Sequence, residues 1–388
     1  MDPLENPYRP GAGTSPPALV GRDELINSFG ITIRRALRGL PDKSLMPTGL
    51  RGVGKTVLLN RFEEIARDEG YKTGFLEAPE TGSFPTLLAV KVRAILASLS
   101  SGPVSRAVNK ALGVLGSFTL TLPDGHSIRI DVDPIRGTGD SGVLSEDLTE
   151  LLVATGEAGA DRGLGVFIAV DEVQYLDSEE LAALIVGIHR TTQLNLPVVL
   201  VGAGLPQLPG LAGEAKSYSE RLFEFPLIGA LPDAEARAAL AVPAEAAGVV
   251  IEEDALTAMV RRAAGYPYFL QEWGKHAWNS ASVERIKFED VEAATRLVES
   301  ALDSNFFRVR LDRLTPKERE YVRAMAELGP GPQRSGDIAQ ALGVRVESVA
   351  PRRSGLIKKG MIYSPAHGDT AFTVPLFDQF LKRAIPGP

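Results

Sequence analysis

The sequence predicts an α/β fold: a parallel sheet flanked by helices, then a helical segment, then a compact C-terminal module of helices and a hairpin. Three observations lead there. Two near-continuous apolar runs, "GVFIAV" ending at Val170 and "LPVVLV" ending at Val201, read as strands buried on both faces. Segments with helical spacing alternate with them, as the crossovers of a parallel sheet require. Beyond about residue 232 the strand signal stops and helical periodicity takes over.

Size and composition bound the rest. A chain of 388 residues with 44% hydrophobic content has room for two or three domains with sizeable cores. It has no cysteine, which excludes disulfides, thiolate metal sites and cysteine nucleophiles and fits a reducing compartment. The N-terminal "MDPLENPYRPGAG" lacks the basic start and apolar run of a signal peptide. No apolar stretch reaches the ~20 residues that cross a bilayer. A soluble, cytoplasmic protein with no membrane partner is the expectation. Net charge is −7, but residues 315–388 hold 11 Lys/Arg against 7 Asp/Glu, a net of +4 that leaves −11 for the rest. Such asymmetry is expected where one part of a chain meets a polyanion.

In order along the chain, the first 18 residues, rich in Pro and Gly, read as an extended arm. A helix follows at "RDELINSFGITIRRALRG". Then "KSLMPTGLRGVGKTVLLNRFEEIARDEG" reads as strand, glycine-rich turn and helix, with Pro47 forfeiting one ladder hydrogen bond at the strand end. A strand at "YKTGFLEA" and a helix at "SFPTLLAVKVRAILASL" continue the alternation. Around Asp124-Gly125, "GSFTLTLPDGHSIRIDVD" alternates apolar and polar residues on both sides, the pattern of a hairpin inserted near residues 117–133. No repeat at solenoid spacing is present.

The C-terminal module opens at "LTPKEREYVRAMAEL", with Thr315 as N-cap, Pro316 at N1 and Glu318 as the capping-box acid. Further helices are expected at "RSGDIAQALG" and "RVESVAPRRSGLIKKG", the last ended or kinked by Pro351. Two strands in "MIYSPAHGDTAFTVP", turning at His367-Gly368-Asp369, and a helix at "LFDQFLKRA" complete a winged helix-turn-helix. The expected division is an arm at 1–18, an α/β domain at 19–230, a helical segment at 231–305 and the winged helix at 306–388.

The chemistry concentrates at Gly49-Leu50-Arg51-Gly52-Val53-Gly54-Lys55-Thr56, which satisfies G-x-x-x-x-G-K-[ST] and runs on into Val57. The glycines let the backbone wrap so that successive N–H groups face phosphate oxygens. Lys55 would reach the β- and γ-phosphates, the Thr56 hydroxyl would ligate Mg²⁺, and the helix N-terminus adds partial positive charge. Downstream, Asp171 and Glu172 follow the apolar strand and fall at its C-terminal end, where parallel sheets collect ligands. Asp171 would hold the metal and Glu172 would polarise the attacking water. ATP or ADP with Mg²⁺ is therefore the expected ligand.

On these residues the chain resembles AAA+ P-loop ATPases, in the branch that includes origin-recognition initiators, transposition ATPases and archaeal-type STAND ATPases. The resemblance covers nearly the whole chain. It places "LVGRDEL" on the adenine side, so that Val20, Gly21 and Arg22 would line the base, although a loop and helix cap would read the same way. The sensor 1 position falls on Gly202-Ala203-Gly204, which offers no polar side chain to the γ-phosphate. "SYSERLFEFPLIGAL" resembles the arginine-finger segment. Arg221 would then reach a neighbouring copy's ATP, or else pair with Glu220 or Glu224 on the surface. "AAGYPYFLQ" resembles the lid motif, with Gly265 and Pro267 close to the nucleotide and Tyr268 where many relatives place an arginine. Missing sensors imply slow hydrolysis and a switch rather than a motor.

Two functions follow from the resemblance. In one, the winged helix binds double-stranded DNA, with Ser348, Arg352 and Arg353 at the major groove and Lys358 and Lys359 on phosphates. In the other, a STAND-like ATPase uses it to dock on the lid or on a protein partner, with self-association as the output. A chaperone-like remodeller is disfavoured, because no aromatic pore loop is evident. His126, His189, His276 and His367 show no metal-ligand spacing, no G-x-S-x-G elbow appears, and "DVDPIRGTGDSG" puts Arg136 where a calcium loop needs glycine.

Overall fold

The computed structural model describes residues 1–100, 105–122, 132–366 and 368–386. It divides into two compact units. One comprises Arg22–Thr48 and Lys55–Leu227; the other comprises Met1–Gly21, Gly49–Gly54 and Ile228–Pro388.

The first unit is the α/β body. Its elements are α1 (Asp23–Ala36), β1 (Ser44–Leu45), α2 (Lys55–Asp68), β2 (Tyr71–Glu77), α3 (Phe84–Leu99), α4 (Arg106–Thr121), α5 (Leu144–Asp161), β3 (Gly165–Asp171), α6 (Ser178–Gln193), β4 (Val198–Gly202), α7 (Leu208–Ala215), α8 (Ser219–Leu222) and β5 (Phe223–Glu224). Strands β2, β3 and β4 form a parallel sheet with β3 in the middle, Tyr71 opposite Gly165 and Val166 opposite Val198. Bridges from Thr48 to Gly204 and to Leu227 continue the parallel order through β1 to β5. The tolerance of Pro47 has a plain cause. Met46 and Thr48 donate to β5 at Glu224 and Pro226, while Pro47 uses its carbonyl to accept from Gly204. Only the one donor that would face β4 is lost.

Every residue of β3 is buried, as its apolar run requires. Phe29 of α1 stacks on Phe62 of α2 with ring centres 4.3 Å apart and meets Phe167 of β3 edge-on, and a second core gathers α3, α4, α5 and α6. Of the segment expected as a hairpin near residues 117–133, only the two ends are described, and residues 117–121 there are helical. Residues up to Thr121 end α4, and Asp124-Gly125 and His126 lie outside the described residues. Gly113 and Gly116 let α4 meet Ile135 and Pro134 closely, and the Ser117 hydroxyl donates to the Ile135 carbonyl at 2.6 Å. Packing thus overrides the β-propensity of "SFTLT".

In the other unit a helical segment is built from α9 (Asp233–Ala246), β6 (Val250–Ile251), α10 (Glu253–Ala263), α11 (Pro267–Ser280), β7 (Arg285–Ile286) and α12 (Phe288–Ala301). Beyond a π-helical turn and α13 (Arg308–Asp312) come α14 (Pro316–Leu328), β8 (Gln333–Arg334), α15 (Ser335–Ala341), α16 (Val346–Lys358), β9 (Ile362–Tyr363), β10 (Asp369–Phe372) and α17 (Phe377–Ala384). The antiparallel order β8-β10-β9 beside three helices is consistent with the expected winged helix-turn-helix. Thr315, Pro316 and Glu318 form the expected cap. Pro351 neither ends nor breaks α16, because its missing N–H deprives only the Glu347 carbonyl in the exposed first turn.

The N-terminal arm contains one 3₁₀ turn at Pro3–Glu5 and is otherwise irregular, yet it is anchored. Tyr8 is buried, and its hydroxyl donates to the Leu240 carbonyl at 2.6 Å. Trp278 donates its indole N–H to the Asp2 carbonyl at 3.0 Å.

Candidate active site

In the α/β body, Lys55 opens α2 and is buried. The Thr56 hydroxyl donates to Asp171 Oδ2 at 2.5 Å, joining the first turn of α2 to the last residue of β3. Burial pushes the Asp171 carboxyl above its ordinary value, and the neighbouring Glu172 charge adds to this. The Thr56 hydrogen bond, the Glu172 N–H and the Lys55 ammonium oppose it without cancelling it. A buried carboxylate short of positive charge beside a hydroxyl is the donor set that a divalent cation completes. The residues present therefore fit Mg²⁺ brought with a nucleotide. Among the described residues no cluster of three His, Cys, Asp or Glu would hold a metal alone.

Glu172 follows β3 with φ 53° and ψ 37°, a left-handed conformation uncommon for a glutamate. It turns the chain into a 3₁₀ helix at Val173–Tyr175. From that helix the Gln174 amide donates to Glu172 Oε2 and accepts from the Leu205 N–H at 3.0 Å. The sequence reading missed Gln174. Its position three residues after Asp171 is visible in "DEVQ", but its second partner is distant in the chain.

Gly49–Gly54 belongs to the unit that also holds the helical segment and the C-terminal module. There the Arg51 N–H donates to the Thr373 carbonyl at 3.0 Å, and Gly52 accepts from the Tyr268 N–H at 3.2 Å. Gly52 has φ 83°, and a Cβ there would lie 3.3 Å from the Cβ of Tyr268, so the close approach excludes larger residues. Tyr268 stacks on Phe306 at 4.8 Å, and the Arg310 guanidinium lies 4.1 Å from the Phe306 ring centre. Of these partners only Tyr268 was legible, through the resemblance of its segment to the lid motif; Thr373 and Phe306 were not.

The comparisons agree with this geometry. Residues 18–201 match the family described as AAA ATPase domain, and residues 304–381 match a domain of unknown function, DUF8462. The chain is similar to the solved Walker-type ATPase PABY2304 of Pyrococcus abyssi. That match has a TM-score of 0.62 at 16% identity and covers 96% of this chain and 98% of that one. Residues 18–201 are thus similar to AAA ATPase domains, and the fold is like that of a Walker-type ATPase. Lower-scoring likenesses include the Aeropyrum pernix ORC1 protein in complex with DNA, at TM-score 0.46 and 18% identity over 95% of this chain and 94% of that one. The Thermotoga maritima RuvB Holliday junction branch migration motor gives 0.46 and 16% over 90% and 92%. At 16% identity the likeness to PABY2304 is one of fold. No curated protein matches.

The remaining expected residues take these places. Val20 packs on the helical core, and Gly21 faces Leu231 and Glu235. Arg22 stands at the N-cap of α1. Gly265 accepts from the Leu231 N–H at 2.8 Å, and Pro267 is the first residue of α11. Arg221 is exposed on α8. In α16, Ser348 and Lys358 are exposed and Arg352 pairs with Glu320 at 3.3 Å. Arg353 is occupied internally, bonded to Thr370 Oγ1 at 2.9 Å, Ser364 Oγ at 2.8 Å and the Asp369 carbonyl at 3.0 Å. Lys359 pairs with Glu318 at 2.6 Å. No helix among the described residues is long and apolar enough to cross a membrane.

Proposed function

We propose that this chain is an ATP-dependent switch that hydrolyses slowly and whose C-terminal module acts on double-stranded DNA. The carrying observation is the Thr56–Asp171 hydrogen bond, which brings the P-loop helix and the acidic strand end into one site. Lys55 would hold the β- and γ-phosphates, with Gly49 to Val57 supplying the cradle. Thr56 and Asp171 would hold Mg²⁺, which neutralises phosphate charge when bound. Glu172 would accept the proton of the attacking water as its oxygen bonds to the γ-phosphorus and the bridging P–O bond to ADP breaks. Slow turnover follows from Gly202-Ala203-Gly204 at the end of β4 and from Tyr268 in place of an arginine. Residues 231–305 would be the lid, and Arg221 would serve a neighbouring copy on self-association.

The DNA half is supported by the net +4 of residues 315–388 and by the exposure of Ser348 and Lys358 on α16. A second reading, a STAND-like signalling ATPase with a protein partner, is favoured by one contact. The Thr373 carbonyl takes the N–H of Arg51, a loop amide of the kind phosphates bind. Duplex binding across a salt series, in ATP and in ADP, decides between them. The first reading predicts a steep salt slope that Arg352→Ala with Lys358→Ala flattens by about 2. No binding in either nucleotide, with assembly on ATP, supports the second. Arg353 is a poor probe here, because it holds the wing.

A further inference from the structure

We propose that Gln174 is a positioning residue for hydrolysis, tying the Glu172 carboxylate to the loop after β4. The inference rests on the reading of Glu172 as the base. Its starting point is the β4 end, where Gly202-Ala203-Gly204 carries no polar side chain. That loop is nevertheless held on both sides. Gly204 donates to the Pro47 carbonyl at 3.1 Å, Ala203 donates to the Val170 carbonyl at 2.9 Å, and Val173 donates to the Ala203 carbonyl at 2.9 Å.

Into this fixed frame Gln174 places its amide. The Leu205 N–H is only a donor, so the amide oxygen must face it, and the NH₂ is left facing Glu172 Oε2. The amide cannot flip without setting donor against donor. A carboxylate has about four acceptor sites, so the Gln174 hydrogen bond can orient Glu172 without using up its acceptor capacity. Gly204 belongs to the same device. A Cβ there would lie 2.8 Å from Gln174 Oε1, so the glycine makes the room the amide occupies. The loop that lacks a sensing side chain thus still acts on the reaction, through Gln174 and onto the base.

The test uses the full chain with Gln174→Met, which keeps length and shape without hydrogen bonds, and Gln174→Glu, which keeps the acceptor and loses the donor. Affinity for a non-hydrolysable ATP analogue and kcat for phosphate release are measured separately. Expected are an affinity within twofold of wild type and a kcat lower by about 10- to 100-fold in both variants, the scale of a misplaced reacting group. A packing role alone would leave Gln174→Met at the wild-type kcat, and that result, or a rise in kcat, overturns the proposal. Should Gln174→Met fail to fold, Gly204→Ala displaces the amide from the other side. It must lower kcat likewise, and an unchanged kcat overturns the proposal. Wild-type protein that binds no analogue would instead sink the reading of the site itself.

Discussion

Glu318 shows how one side chain holds several elements. Its carboxylate caps the Thr315 N–H at 2.8 Å and pairs with Lys359 at 2.6 Å. Burial alone would raise its pKa, but the Lys359 and Thr315 hydrogen bonds outweigh burial and hold it below the ordinary 4.5. A depressed folded pKa contributes stability that is present above the unfolded value and lost as pH falls through the folded one. Glu318→Gln keeps an acceptor for the Thr315 N–H but loses the charge that pairs with Lys359, and is therefore expected to cost about 1 kcal/mol at pH 7. The cost should shrink below about pH 4.5 as the wild-type carboxylate protonates, as read by urea midpoints against pH. This cap was legible because all its members lie within four residues, whereas Lys359, its distant partner, was read instead as a phosphate contact. Gln174 escaped for the same reason. A sequence gives residue type and local spacing, and its second anchor at Leu205 lies on another strand's loop.

At the scale of elements, α16 and the wing depend on Arg353, whose three hydrogen bonds reach Thr370, Ser364 and the Asp369 carbonyl. Arg353→Ala leaves the buried Thr370 hydroxyl without this donor, and a loss of about 1–3 kcal/mol is expected in the unfolding of the C-terminal module. Elements with strong periodicity or fixed motif spacing were legible: α2 after the glycines, β3 as an unbroken apolar run, and the capped α14. Two-residue strands such as β6, β7 and β8 were not, because they are defined by partners rather than by any pattern of their own. The end of α4, residues 116–121, was misread as a strand because its β-branched and aromatic residues are held in a helix, with Phe118 in the core and Gly113 and Gly116 facing Ile135 and Pro134.

For the whole molecule, the chain leaves the α/β body after Thr48 and returns to it at Lys55, and the residues of that excursion group with the C-terminal module. The Arg51 N–H can serve the Thr373 carbonyl or a phosphate oxygen well, but not both. Addition of ATP and Mg²⁺ is accordingly expected to speed hydrogen exchange in residues 369–376, while ADP has a smaller effect. Unchanged exchange there would separate the C-terminal module from the nucleotide. The measurement that bears most directly on the account is ATP binding by the wild-type chain and by Lys55→Ala, with Mg²⁺ present. The account predicts saturable binding by the wild type and a loss of about 10- to 100-fold or more without the lysine, since a hydrogen bond to a charged group is worth about 1.5–3 kcal/mol. Equal affinity in the two proteins would contradict it, because Gly49 to Thr56 would then not be where the nucleotide binds.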